Sequence, residues 1–178
     1  AFKNTQQSSI TVPDSKDPSK FWYTLNGENE YKGIEYSAVG ALSDKWDMIF
    51  GIAYMDAEKS KTQGGKNDGR KVCGIPKWSG DLALTYKPDK ATKFISHLNY
   101  TGKTRIHDTS SYAMPIGISS ITLLDLGASY DTKIAGYDAT ITAMCYNVFN
   151  KNYWYASGDN SVGLGAPRNF MVTANFKF

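Results

Sequence analysis

Large apolar and aromatic side chains recur at every second position through run after run of this chain, and a period of two is the signature of a β-strand. Residues 33–42, GIEYSAVGAL, put Ile34, Tyr36, Ala38, Gly40 and Leu42 on one face, with Glu35 and Ser37 on the other. After the break SDK at 43–45, Trp46, Met48, Phe50, Ile52 and Tyr54 alternate with Asp47, Ile49, Gly51 and Ala53, which predicts a hairpin. The pattern returns in Trp78, Gly80, Leu82, Leu84 and Tyr86, in Phe94, Leu98 and Tyr100, and in Leu124, Leu126, Ala128 and Tyr130. Ala139, Ile141, Ala143 and Cys145 continue it, and Phe170, Val172, Ala174, Phe176 and Phe178 end the chain. An all-β fold follows, in keeping with 12 Tyr, 8 Phe, 4 Trp and 16 Gly among 178 residues. No second domain, low-complexity stretch or repeat beyond the hairpin pattern interrupts residues 1–178.

What covers the apolar face decides between a soluble β-sandwich and an antiparallel transmembrane β-barrel. Runs 29–43 and 45–58 are far longer than the usual strand of about 5–6 residues. Connections 43–45, 87–91 and 131–136 are short, whereas 11–20, 59–75, 107–118 and 150–166 are long and rich in Gly, Ser, Asn, Asp and Lys. Membrane barrels alternate in that way, with short periplasmic turns and long outer loops, and they carry aromatic girdles such as Trp46, Trp78, Tyr86 and Tyr130 would form. A spanning strand needs only about 9–11 residues with one apolar face, so a mean hydropathy of -0.42 is compatible with the membrane. A helical span is excluded, since no window of 18 residues is uncharged and apolar, and the start AFKNTQQSSI is not a signal peptide. The net charge of +3, without basic clusters interleaved with aromatics, excludes a nucleic-acid surface. Cys73 falls in an outer loop and Cys145 on a membrane face, which argues against a disulfide between them.

Four stretches resemble the β-barrel of TonB-dependent siderophore receptors, and in that family's order. GENEYKGIE, residues 27–35, resembles its "GE… GIE" strand, and residues 46–57 resemble the next strand, which ends in Y-x-D-A. NVFNKNYW, residues 147–154, is similar to "NLFDKxY", and GAPRNFMVTANFKF, residues 165–178, to the closing G-x-P-R-x-F strand. The resemblance implies a 22-stranded barrel plugged by a globular domain, a recognised barrel class. This chain would supply about eight of the strands, resembling the carboxyl-terminal ones, without the plug or the segment that binds TonB. It further implies the bacterial outer membrane as location, with its lipids and the barrel-assembly machinery as partners. Phe178 and Phe176 resemble the terminal signal which that machinery reads. The implied function is energised import of ferric siderophores through the TonB complex, with a slight lean to the hydroxamate type from the GE… GIE strand. Iron would be carried as the ferric siderophore, and no intrinsic cofactor is implied. A complete eight-stranded porin-like barrel for passive diffusion remains the competing architecture.

The ligand of such a receptor meets its outer loops and inner wall, where aromatic rings give large contact area at low entropy cost. Topology then nominates Trp22 and Tyr23 beside the first loop, Tyr112 in a later one, and Tyr153, Trp154, Tyr155 and Leu164 in the last. In loop 59–75, Lys59, Lys61, Lys66, Arg70 and Lys71 against Asp68 suggest a field that attracts an anionic chelate. Arg168 is expected to order the last loop through carboxylates. His97 and His107 have no carboxylate or thiol at ligand spacing, so no metal site is expected. No nucleophile with a base, carboxylate pair or phosphate-binding loop suggests an enzyme.

Overall fold

The computed structural model describes residues 1–106, 117–158 and 161–178. Among these residues twelve strands follow one another: β1 (Phe2–Pro13), β2 (Phe21–Ser43), β3 (Trp46–Ser60), β4 (Trp78–Tyr86), β5 (Thr92–Thr101), β6 (Thr104–Arg105), β7 (Gly117–Ile118), β8 (Ile121–Ile134), β9 (Tyr137–Tyr146), β10 (Trp154–Gly158), β11 (Ser161–Leu164) and β12 (Asn169–Lys177). Eight of them form one antiparallel sheet in the order β1-β2-β3-β4-β5-β8-β9-β12. The pairs β6-β7 and β10-β11 are separate small hairpins within the outer connections. Sheet neighbours are neighbours in sequence apart from these insertions, which is the up-and-down topology of a barrel wall.

The register places the alternating residues as the sequence predicts. Ile34 lies opposite Tyr54, Tyr36 opposite Ile52 and Ala38 opposite Phe50. The same face continues through Phe50–Leu82, Leu82–Leu98, Leu98–Leu124, Ala128–Ala143 and Val172–Ala143. The reverse face pairs Asp81 with Asn99, His97 with Asp125, Asp131 with Thr140 and Lys177 with Asp138. No large side chain is fully buried among the described residues. A sandwich would bury one face of each sheet in a dry core, so the sheet is a single layer whose apolar face no second layer covers among the described residues. It does not close on itself, because β1 and β12 stand at its two ends.

Aromatic pairs mark the borders of the apolar band. Near the short turns, the rings of Trp46 and Tyr86 lie 4.7 Å apart, and those of Tyr86 and Phe94 6.4 Å apart. Toward the long loops, Tyr54 and Trp78 pack at 5.0 Å. Tyr54 lies eight positions after Trp46, and Tyr86 eight after Trp78; at about 3.3 Å per residue each span is roughly 26 Å of strand, which at the usual barrel tilt of about 35–45° rises about 20 Å, most of the height of about 25 Å typical of a barrel's apolar band. Beyond Tyr54 the apolar face turns charged, with Asp56 and Glu58 on β3 and Glu28, Glu30 and Lys32 on β2. β2 and β3 therefore extend well beyond the apolar band.

The connections are shorter than expected where strands continue into them. β1 runs to Pro13 and β2 begins at Phe21, so the first connection is residues 14–20 rather than 11–20. The turn 131–136 shrinks to Ala135 and Gly136, whose φ values of 50° and 87° suit a two-residue hairpin. The connection 150–166 contains the β10-β11 hairpin, which the alternation of the sequence does not reveal.

Candidate functional site

The outer end of the sheet carries the candidate ligand-contacting residues, and a change of register helps to aim the first of them. Ser8 lies opposite Gly27 but Ile10 opposite Thr24, so β2 carries one extra residue between them. Such a bulge exchanges the faces of a strand. Trp22 is thereby set opposite Val12, on the side that carries Asn4 and Gln6, and Tyr23 turns the other way. The Trp22 indole Nε1 donates to Asp14 Oδ2 at 2.7 Å. The backbone N–H of Lys16, and then this indole, hold the Asp14 carboxyl below its ordinary value. Tyr23 is 82% exposed.

Trp154 and Leu164 are brought together, paired across the β10-β11 hairpin, with Tyr155 opposite Gly163. The rings of Tyr155 and Tyr153 cover Gly163 and Gly165, where any side chain would run into them. Trp154, Tyr155 and Leu164 are exposed. This aromatic hairpin and the Trp22 hairpin belong to opposite ends of the sheet, and no ring contact joins them among the described residues. Tyr112 and His107 lie outside the described residues.

The NVFNKNYW segment acts as a clamp beneath the aromatic hairpin. Asn147 is 5% exposed and has φ 50°, a conformation asparagine tolerates better than most residues. Its Nδ2 donates to the carbonyls of Lys151 at 2.9 Å and Ala166 at 3.0 Å, and its Oδ1 accepts the Lys151 N–H at 2.9 Å. Its own N–H donates to Asp125 Oδ1 at 2.8 Å, tying the clamp to β8. The Arg168 N–H donates to Asn150 Oδ1 at 2.9 Å, and Arg168 Nη1 reaches the Val148 carbonyl at 3.4 Å. Among the described residues Arg168 thus orders the loop through amide groups.

Two electrostatic expectations also change. In connection 61–77, Lys61 pairs with Glu28 at 2.6 Å, and Lys71 bridges Asp56 at 2.5 Å and Glu58 at 2.7 Å. The hydrogen bond to Asp56, followed by that to Glu58, raises the Lys71 pKa above its ordinary value. Asp68 accepts the Thr62 N–H at 2.8 Å and hydroxyl at 2.7 Å, so it organises the loop instead of balancing a lysine. Strand pairing also gives His97 the carboxylate neighbours that spacing concealed: Nε2 lies 3.1 Å from Asp81 Oδ1 and Nδ1 3.6 Å from Asp125 Oδ2. The two ring nitrogens point apart, so these carboxylates do not converge with the imidazole on one ion. No group of three potential ligands is placed to hold a metal among the described residues. Cys73 and Cys145 form no disulfide.

Segment 71–77 is where the outer connections meet. Val72 N–H donates to the Ala57 carbonyl at 3.0 Å, and Gly74 N–H to the Arg105 carbonyl at 2.8 Å. A Cβ on Gly74 would lie 3.4 Å from that of Ala156 in the aromatic hairpin. A cavity of about 500 Å³ lies between β3, this segment and the β6-β7 hairpin. Sequence reasoning missed it, because its walls come from four separated stretches.

Comparison with known proteins agrees with this architecture. The metal-pseudopaline receptor CntO of Pseudomonas aeruginosa is 27% identical over 168 residues, covering 91% of this chain and 23% of the receptor. The crystal structure of BauA, the ferric preacinetobactin receptor of Acinetobacter baumannii, superposes with a TM-score of 0.82 at 29% identity, over 99% of this chain and 26% of that one. The siderophore receptor PiuA of the same organism shares the fold, with a TM-score of 0.77 at 21% identity, over 99% of this chain and 25% of that one. The chain spans about a quarter of the length of these relatives. Residues 1–148 match the family described as TonB dependent receptor-like, beta-barrel. The chain therefore belongs to the TonB-dependent receptor β-barrel family, whose members are transporters and not enzymes.

Proposed function

We propose that this chain is part of the barrel wall of a receptor that binds a ferric siderophore outside the bacterial outer membrane and passes it inward at the expense of TonB-transmitted energy. The likeness to the ferric preacinetobactin receptor over 99% of the chain carries this reading. The polar inner face and the exposed aromatic groups at the outer end support it. Trp22, Tyr23, Tyr153, Trp154, Tyr155 and Leu164 are the proposed ligand contacts within the described residues, and Tyr112 is proposed with them from sequence. Iron is cargo, held by its chelator. A plug domain and a TonB-binding segment belong to the proposed whole protein, and lipid covers the apolar face. Phe176 and Phe178 lie at the end of that face, with Tyr137 5.1 Å from Phe178, and they are proposed as the contact for the barrel-assembly machinery. The relatives described above are named for pseudopaline and preacinetobactin, and neither name adds support to the hydroxamate lean.

The test is uptake of radioactive iron from a panel of ferric chelates, in cells that express or lack the receptor gene and in the same pair without TonB. Uptake of one chelate that requires both genes is the expected result. Receptor-dependent uptake that persists without TonB would instead establish passive diffusion.

A further inference from the structure

The cavity between β3, segment 71–77 and the β6-β7 hairpin carries an excess of positive charge, since four cations and a single carboxylate, Asp56, line it. Its lining includes the apolar residues Met55, Val72 and Ile75 and the cations Lys77, Lys103 and Arg105. Its other cation, Lys71, is already held by Asp56 and Glu58. No carboxylate lies within ion-pair distance of Lys77, Lys103 or Arg105 among the described residues, although Lys77 acts on Asp56 at longer range. The lysines at positions 3, 32 and 61, by contrast, are each paired with Glu28 or Glu30. Thr104 and Ser119 add hydroxyl donors to the lining. Met55 N–H donates to the Lys77 carbonyl at 2.9 Å, which sets Lys77 beside Met55 on the inner face of the wall. Three cations converging on a half-enclosed, partly apolar hollow concentrate field on whatever enters it. A guanidinium beside two ammonium groups also matches the paired oxygens of catecholate or carboxylate groups.

We propose that this cavity selects ferric chelates of net negative charge, with Lys77, Lys103 and Arg105 receiving anionic oxygens of the chelator. The proposal rests on the receptor reading above and narrows its substrate class. It also moves the attracting charge from loop 59–75, where Lys61 and Lys71 are neutralised, to residues of two different connections.

The experiment uses the whole receptor, purified from outer membranes in detergent, and measures equilibrium binding of three probes. These are a trianionic ferric tris-catecholate, a neutral ferric tris-hydroxamate and iron-free inorganic tripolyphosphate. The variants are a triple Lys77→Gln, Lys103→Gln, Arg105→Gln and a charge-keeping triple Lys77→Arg, Lys103→Arg, Arg105→Lys. The tris-catecholate should bind more tightly than the neutral chelate, weaken with added salt, and lose at least about ten-fold in affinity in the glutamine triple only. Undiminished affinity in the glutamine triple, or preference for the neutral chelate, would overturn the proposal. If the glutamine triple fails to assemble, the salt response of the wild type decides, and its absence counts against the proposal. Charge-dependent binding of tripolyphosphate with no ferric chelate bound would keep the anion site and remove the siderophore reading. Absence of binding by all three probes would remove the anion site.

Discussion

The membrane-spanning part of the sheet and the connections above it are held by different kinds of bond. Between the aromatic borders, β3, β4, β5, β8 and β9 are each fixed by ladders with neighbours on both sides, and side-chain identity matters mainly as apolar against polar. Above the border, hairpins of two to five residues per strand are held by individual groups: Asn147 under the β10-β11 hairpin, Asp68 inside loop 61–70, and Gly74 against Arg105. The lower region should therefore respond to the polarity of a substitution and the upper region to the identity of single polar atoms.

The sharpest way to break this contrast is to place one charge on each face of β4. Leu82 is midway between Trp78 and Tyr86 on the lipid face, and Ala83 is its neighbour on the inner face. Leu82→Arg should destabilise the folded receptor by about 2–4 kcal/mol, the cost of arginine at the bilayer midplane, whereas Ala83→Arg should cost far less. Reversible denaturant unfolding of the whole receptor in lipid vesicles measures both. Equal losses would mean that the two faces are not in different solvents.

A smaller effect is expected from Asn147→Ala. This removes two donors and an acceptor from a buried position and puts alanine at a positive φ, at a cost of roughly 1–3 kcal/mol. The loss should stay local. Limited proteolysis should cut residues 150–166 faster while the spanning sheet remains resistant, and accelerated cleavage throughout would deny that the upper region is an independent unit.

The least effect comes from acid. The Thr62 amide, and then its hydroxyl, hold the Asp68 carboxyl below its ordinary value of 3.8. A depressed carboxylate pKa contributes order at pH above 3.8 that is lost as pH falls through the depressed value. Loop 61–70 should become more open to hydrogen exchange in that acid range, and Asp68→Asn should flatten the response. A spanning sheet that loosened in parallel would show that the loop and wall are coupled.

Legibility in the sequence follows the same division. Counting in twos assigns Ile34, Tyr54, Trp78 and Tyr100 to one face, and the pairings Ile34–Tyr54, Tyr54–Trp78 and Gly80–Tyr100 place them there. Local period suffices when each strand meets only its neighbours. Asp81, His97 and Asp125 could not be joined without the register, since each is on a different strand. The Asn147 segment carries a family likeness in its sequence, yet its task is visible only once the Ala166 carbonyl is folded back onto it. The cavity cations were hidden for the same reason, with Lys77 preceding β4 and Lys103 following β5.

The repeated interval of eight residues between aromatic borders also makes the wall a gauge of its surroundings. A sheet with no fully buried large side chain draws much of its cohesion from the medium around it, so lipid acts on this fold as a ligand acts on a binding protein. Bilayers thinner or thicker than that interval should lower the melting temperature by small, graded amounts, since mismatch costs fractions of a kcal/mol per Å. The distance from Trp46 to Tyr54 is thus a statement, written in the chain, of which membrane it is cut to fit.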